Sequence, residues 1–294
     1  MKALKVILLS ATTLFSGSLI AQEQETADTT KTWTIKGENS FLINQSSFSN
    51  WAAGGVNSLA GNLIFNYDFN YKKDKWSWDN KLLAAYGQTH QKETGWRKND
   101  DRFALNSLVG LEASKKWLYT FFLNFNTQFT DGFEYKDNAR GNKISGAFAP
   151  AFLSFGPGIA YKESDNFKVN LSPISARFIM VGDESLRSRY SVDLDKFSRN
   201  ELGASLDAYY KVNVMENISL ENILKLYSNY LQDPQNVDVD YLANLVMQVN
   251  KFISVNAAAQ LIYDDNINVP KSNGTQGPGL QVRQVLGAGV TYKF

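Results

Sequence analysis

Gln281-Val282-Arg283-Gln284-Val285-Leu286-Gly287-Ala288-Gly289-Val290-Thr291-Tyr292-Lys293-Phe294 puts Val282, Leu286, Ala288, Val290, Tyr292 and Phe294 on one side of a two-residue period. Gln284 alone breaks that side, and Arg283, Gly287, Gly289, Thr291 and Lys293 fall opposite. A strand that is apolar on one face, polar or small on the other, and aromatic at its end suits lipid outside and water inside. It reads as the last strand of a transmembrane β-barrel, with Tyr292 and Phe294 as its assembly signal.

The other end of the sequence agrees. Met1-Lys2-Ala3-Leu4-Lys5 is a short basic start, residues 6–20 are mostly apolar, and Ala21-Gln22 offers a small residue for cleavage. That is the pattern of a secretory signal over 1–21; fifteen residues are too few for a helical span, which needs roughly 20. Residues 22–31, polar and acidic-rich, read as a flexible periplasmic tail, and 32–294 as the barrel. With no cysteine there is neither a lipoprotein anchor nor a disulfide. The expected home is the outer membrane.

Mean hydropathy of −0.30 would suit a soluble chain, yet aromatics make up 13% of it. A barrel accounts for both, because the water-facing half of each strand cancels the lipid-facing half in any window average. Thirty basic and 29 acidic residues leave the net charge near zero, so nucleic acid is not an expected partner.

Alternating segments bounded by turn residues number twelve: 32–44, 57–71, 76–89, 101–113, 117–130, 147–162, 167–180, 200–213, 217–229, 239–250, 252–264 and 281–294. Ten or fourteen strands are the alternatives. Lys72-Lys73-Asp74-Lys75, Ser114-Lys115-Lys116, Glu163-Ser164-Asp165-Asn166, Val214-Met215-Glu216-Asn217 and Asn250-Lys251 are tight turns. The connections near 45–56, 90–100, 131–146, 181–199, 230–238 and 265–280 are longer, giving the periplasmic and outer ends expected of such a barrel. Trp76, Trp78, Trp117, Tyr119, Tyr161, Phe167, Phe252, Tyr292 and Phe294 gather at the short-turn end, as an interfacial belt requires. Aromatics in a soluble sandwich core have no reason to favour one set of ends.

Strand parity turns Asp68, Asp79, Lys81, Arg102, Glu112, Lys168, Glu201, Asp207, Lys211, Glu221, Lys225, Arg283 and Lys293 towards the lumen. The signs nearly balance, which points to internal ion pairs rather than to a constriction dominated by one charge. No catalytic residue is assigned: the single histidine, His90, sits at a strand end without a Gly-x-Ser-x-Gly elbow. No cofactor is assigned, and no metal either. Asp264-Asp265-Asn266-Ile267-Asn268 spaces oxygen ligands like a calcium loop, but Val269 and Thr275 stand where glycine and a bidentate glutamate are needed.

Phe48-Ser49-Asn50-Trp51-Ala52-Ala53-Gly54-Gly55 differs from the other loops. A phenylalanine and a tryptophan beside a double glycine suit a compact loop that docks into the barrel mouth as a lid, or one that meets a ligand or partner. Phe48, Asn50, Trp51, Gly54 and Gly55 are its candidate residues.

The run from Gln45 to Gly55, followed by Trp76-Ser77-Trp78-Asp79-Asn80 and Tyr86-Gly87, resembles a family of uncharacterised outer-membrane proteins common in Bacteroidota and defined only as a domain of unknown function. Thr127-Gln128-Phe129, Leu171-Ser172-Pro173 and Met247-Gln248-Val249-Asn250-Lys251 are weaker matches, so that the likeness covers nearly all of the mature chain. Asn-Trp-x-x-Gly-Gly is its most specific element. The resemblance implies a barrel in the outer membrane and brings no activity.

Two functions fit: a narrow channel or transporter for a small solute, narrowed by an outer loop, or an accessory barrel within a larger outer-membrane assembly. The partners expected are outer-membrane lipid, the barrel assembly machinery, a small solute, and a membrane protein met through the outer loops.

Overall fold

In the computed structural model, residues 32–47, 57–136, 139–270 and 275–294 are described. The signal and tail over 1–31 and the candidate lid residues Phe48, Asn50, Trp51, Gly54 and Gly55 lie outside them.

The strands are β1 (Trp33–Ser46), β2 (Ser58–Lys73), β3 (Trp76–Gln91), β4 (Gly95–Ser114), β5 (Trp117–Thr127), β6 (Gly132–Lys136), β7 (Ala139–Ser145), β8 (Ala151–Ser164), β9 (Phe167–Met180), β10 (Ser198–Met215), β11 (Ile218–Asn229), β12 (Asp238–Gln248), β13 (Ile253–Tyr263), β14 (Val269–Pro270), β15 (Gln276–Gly277) and β16 (Gln281–Lys293). Twelve of them close a barrel in the order β1-β16-β13-β12-β11-β10-β9-β8-β5-β4-β3-β2, every pair antiparallel. Each of the twelve alternating segments read from the sequence is one barrel strand. Closure leaves no unpaired edge, the condition for sheet to exist in hydrocarbon.

The exterior is apolar and the interior polar. Leu59, Leu63, Phe65, Phe121, Leu171, Val282 and Leu286 are exposed, whereas Asn62, Thr120, Asn170, Ser172 and Thr291 on the opposite parity are buried. At the short-turn end, Trp33 packs 5.2 Å from Tyr71 and 5.8 Å from Trp78 between ring centroids. Trp117, Tyr161, Phe167 and Tyr210 form a second chain of rings with centroids 5.3–6.4 Å apart. An apolar wall bounded by such a belt is the surface of an outer-membrane barrel, and this chain is one.

Closure is sealed by Phe294. Its N–H donates to Gly37 O and Gly37 N–H donates to Phe294 O, both at 3.0 Å. The Phe294 ring lies over Gly37, 5.7 Å from Tyr67; a Cβ on Gly37 would sit 2.4 Å from Phe294 Cζ. Phe294→Ser should therefore lower the fraction of protein that migrates as the heat-modifiable folded barrel on gels. An unchanged folding yield would show that closure does not depend on the ring.

Two departures from the two-residue pattern have local causes. Residues 90–100, expected as a long outer connection, form a continuous hairpin instead: His90 pairs with Trp96, and Gly95, at φ +67°, supplies the left-handed residue of a tight turn. On β9, Pro173 and Ile174 both face outward while Ser172 and Ser175 are both buried. One extra residue there, opposite Ala204 on β10, makes a bulge, and proline is tolerated because it needs no ladder donor. Beyond the bulge the parity of β9 is reversed.

Candidate functional site: a lumen bridged by ion pairs

Lys81 on β3 and Glu221 on β11 come from strands that lie opposite each other, six positions apart in either direction around the ring. Their charged groups nevertheless meet at 3.0 Å, and Lys81 also reaches Asp68 on β2 at 3.3 Å. Contact between opposite walls passes only through the lumen, so this pair spans its full diameter. Tyr209 donates its hydroxyl to the same Glu221 at 3.0 Å. The side chains are 17% and 10% exposed, which holds the bridge away from bulk screening.

Further links cross at neighbouring levels. Asp79 on β3 binds Lys162 on β8 at 3.1 Å and Lys168 on β9 at 3.2 Å. Lys225 on β11 donates to Asn106 on β4 at 2.6 Å, and Asn124 on β5 donates to Asp207 on β10 at 3.2 Å. Arg283 on β16 binds Asp100 on β4 at 2.5 Å. Lys293 pairs with Glu38 at 2.9 Å at the short-turn rim. Of the lumen residues expected from parity, Asp68, Asp79, Lys81, Arg102, Lys168, Glu201, Asp207, Glu221, Lys225 and Arg283 take part in these or the following contacts. Lys211 is half-buried opposite Glu221 in the strand register. Glu112 lies exposed beside a register shift next to the short turn, with no lumen contact among the described residues.

Arg177 is the residue that parity hides. The β9 bulge turns it inward, where Nη1 holds Asp238 on β12 at 2.5 Å, Nη2 holds Asp264 at 2.6 Å and Nε lies 3.5 Å from Glu201 on β10. Its guanidinium stacks 4.7 Å from the Tyr227 ring centre. Asp238, Asp264 and Asp265 bring their oxygens within 4.8 Å of one another. The positive charge in this cluster is Arg177 itself, while Asn236 Nδ2 donates to Asp265 at 2.5 Å.

Two cavities flank the bridge. The outer one, about 360 Å³, is lined by the polar Asn124, Asn126, Gln128 and Asp207 and by the rings of Phe122 and Phe152. The inner one, about 60 Å³, is lined by Glu38, Ser40, Asn66 and Asn256 and has room for a few waters. Lys81, Leu83, Arg102, Ile223 and Leu242 line both, so these side chains are the partition between them.

Loops at the long-loop end of the barrel are tied to one another. The 3-10 helix Glu184–Tyr190 buries Leu186 against Ala149, Ile179, Val181 and Val192. Tyr190 donates to Ile144 O at 2.9 Å, Ser191 to Asn266 O at 2.7 Å, and Arg189 to Glu134 at 3.0 Å, tying three loops together. Asp183 caps the helix; its bonds from Ser185 and the nearby Lys143 hold its carboxyl down to about 2. His90 lies at the outer end of β3, its ring 5.0 Å from Trp96.

Among curated proteins, no sequence matches this chain. Structures similar to it include the COG4313 outer membrane channel from Pseudomonas putida F1, at 10% identity and TM-score 0.37, covering 89% of this chain and 94% of that one. The NanC porin is similar at 8% identity and TM-score 0.38, covering 87% and 99%. The Pseudomonas putida toluene transporter TodX is similar at 9% identity and TM-score 0.30, covering 89% and 87%. At these identities none of them lends a residue or a solute to this chain. The sequence family described as "Protein of unknown function (DUF3078)" matches residues 43–133, a span that takes in 45–55, 76–80 and 127–129 and ends before 171–173 and 247–251.

Proposed function

We propose that this barrel is a narrow channel for a small solute, with a path that enters the outer cavity and passes the Lys81–Glu221 bridge. The observation that carries this reading is the make-up of the partition. Cavities lie on both sides of it, and what separates them is side chains, not backbone. A lysine on a flexible stem can leave one carboxylate for another at little cost: Asp68 already offers Lys81 a second partner. An outer cavity of about 360 Å³ suits a solute of a few to a dozen heavy atoms, not a polymer. Balanced charge keeps the wall rigid while leaving polar groups along the path. The segment 48–55 is assigned the role of narrowing the outer mouth on the strength of its sequence, and insertion by the barrel assembly machinery is assigned on the strength of the terminal strand.

The refolded protein should give discrete current steps in a planar lipid bilayer. Small steps would fit a path that the bridge obstructs. A silent bilayer with correctly folded protein would favour the second reading, an accessory barrel of a larger assembly, for which the full-diameter bridge serves as a permanent brace.

A further inference from the structure

Arg102 on β4 and Arg283 on β16 stand four positions apart in the ring and share one carboxylate, Asp100. Arg283 Nη2 takes Asp100 Oδ2 at 2.5 Å, which leaves Arg102 Nε 3.6 Å from Oδ1, beyond hydrogen-bond reach. Arg102 Nε and Arg283 Nη1 are buried atoms with no acceptor among the described residues. Asp240, the other carboxylate near Arg102, is engaged by Gln260 Nε2 at 2.9 Å. Buried N–H groups of charged side chains are seldom left without a partner, so two unused donors on neighbouring guanidinium groups call for an acceptor.

Position says what that acceptor meets first. Both arginines line an opening of about 270 Å³ together with Asp100, Gln260 and the Lys98–Asp101 pair, whose charges meet at 2.8 Å, and both also line the inner cavity. They therefore stand between the opening and the inner cavity, Arg102 as part of the partition itself. Planar guanidinium forks match oxyanions with two or more coplanar oxygens, which they bind through paired charge-assisted hydrogen bonds.

We propose that Arg102 and Arg283 form a binding site for the oxyanion group, carboxylate or phosphate, of a small water-soluble solute. The site stands whether or not the barrel conducts; only the solute's passage rests on the channel reading. Succinate and inorganic phosphate are the probes, with chloride as the control for simple charge screening, titrated calorimetrically into the refolded full chain in detergent at low salt. Saturable binding of either oxyanion is expected, weakened roughly tenfold or more by Arg102→Gln in a barrel that keeps its heat-modifiable gel shift. Arg102→Lys, which keeps the charge and loses the fork, should restore only part of it. On the unmutated protein, phosphate or succinate should protect Arg102 and Arg283 from an arginine-specific dicarbonyl reagent, read by mass spectrometry. No binding by the wild type, equal binding by chloride, unchanged affinity in folded Arg102→Gln, or absence of protection overturns the site. Binding with a silent bilayer keeps the site and removes the channel; conductance without binding does the reverse.

Discussion

Arg177→Met should cost the barrel about 3–5 kcal/mol of folding stability, the price of leaving buried carboxylates without their counter-charge. Arg177 is 9% exposed at its side chain, and the acids it holds, Glu201 and Asp264, are 2% and 6% exposed at theirs. Arg199 remains beside Glu201 at 2.9 Å and can keep that one carboxylate paired. Asp238 and Asp264 have no second cation paired with them among the described residues. Adding Asp238→Asn and Asp264→Asn to Arg177→Met should recover much of the loss, because amides need no counter-charge, whereas Arg177→Lys should recover little: an ammonium cannot fork between two strands. Reversible urea unfolding in vesicles measures the series. A loss within about 1 kcal/mol, as for an exposed ion pair, would mean that lumen water solvates this cluster and that Arg177 does not hold β9, β10 and β12 together.

The second large effect lies on the other face of the wall. Phe121 is 48% exposed on the exterior of β5, with its ring 6.2 Å from Phe155. It lies four residues from the belt residue Trp117, roughly 13 Å along the strand and about 10 Å along the axis of a strand tilted near 40°. That places it close to the middle of the apolar band. Phe121→Arg should cost about 2–4 kcal/mol in vesicle folding. Asn126, on the same strand, lines the outer cavity, and Asn126→Arg should be tolerated far better. Equal penalties at the two positions would mean that the register of β5 is wrong by one residue, since a one-residue slip exchanges the faces.

Much of this architecture is written in the chain's alternation. Leu59, Leu63 and Phe65 against Asn62, and Val282, Leu286 and Val290 against Thr291, declare their faces because lipid and lumen select opposite chemistries at every second residue. Turn lengths add the up-and-down order, since a tight turn can join only neighbouring antiparallel strands. Partners across the lumen are another matter. Parity turns Lys81 and Glu221 inward without saying that they meet, because their contact depends on how far each strand is staggered as the ring closes. Arg177 was out of reach for a different reason: counting by twos from Lys168 fails at Pro173, where a bulge inserts one residue and reverses the faces beyond it. The 3-10 helix Glu184–Tyr190 and the β6–β7 hairpin escaped notice because pieces this short carry too few periods to register as regular structure.

Single-channel conductance across a charge-swap series at the bridge tests the account most directly. Lys81→Ala removes the cation that bridges Asp68 and Glu221 and should raise unitary conductance above wild type. Lys81→Glu combined with Glu221→Lys rebuilds the contact with reversed sign and should bring conductance back down towards the wild-type level. Folding of each variant is confirmed by its gel shift before it is measured. If Lys81→Ala and the charge swap both conduct as the wild type does, the solute path does not cross the Lys81–Glu221 bridge and the account is wrong.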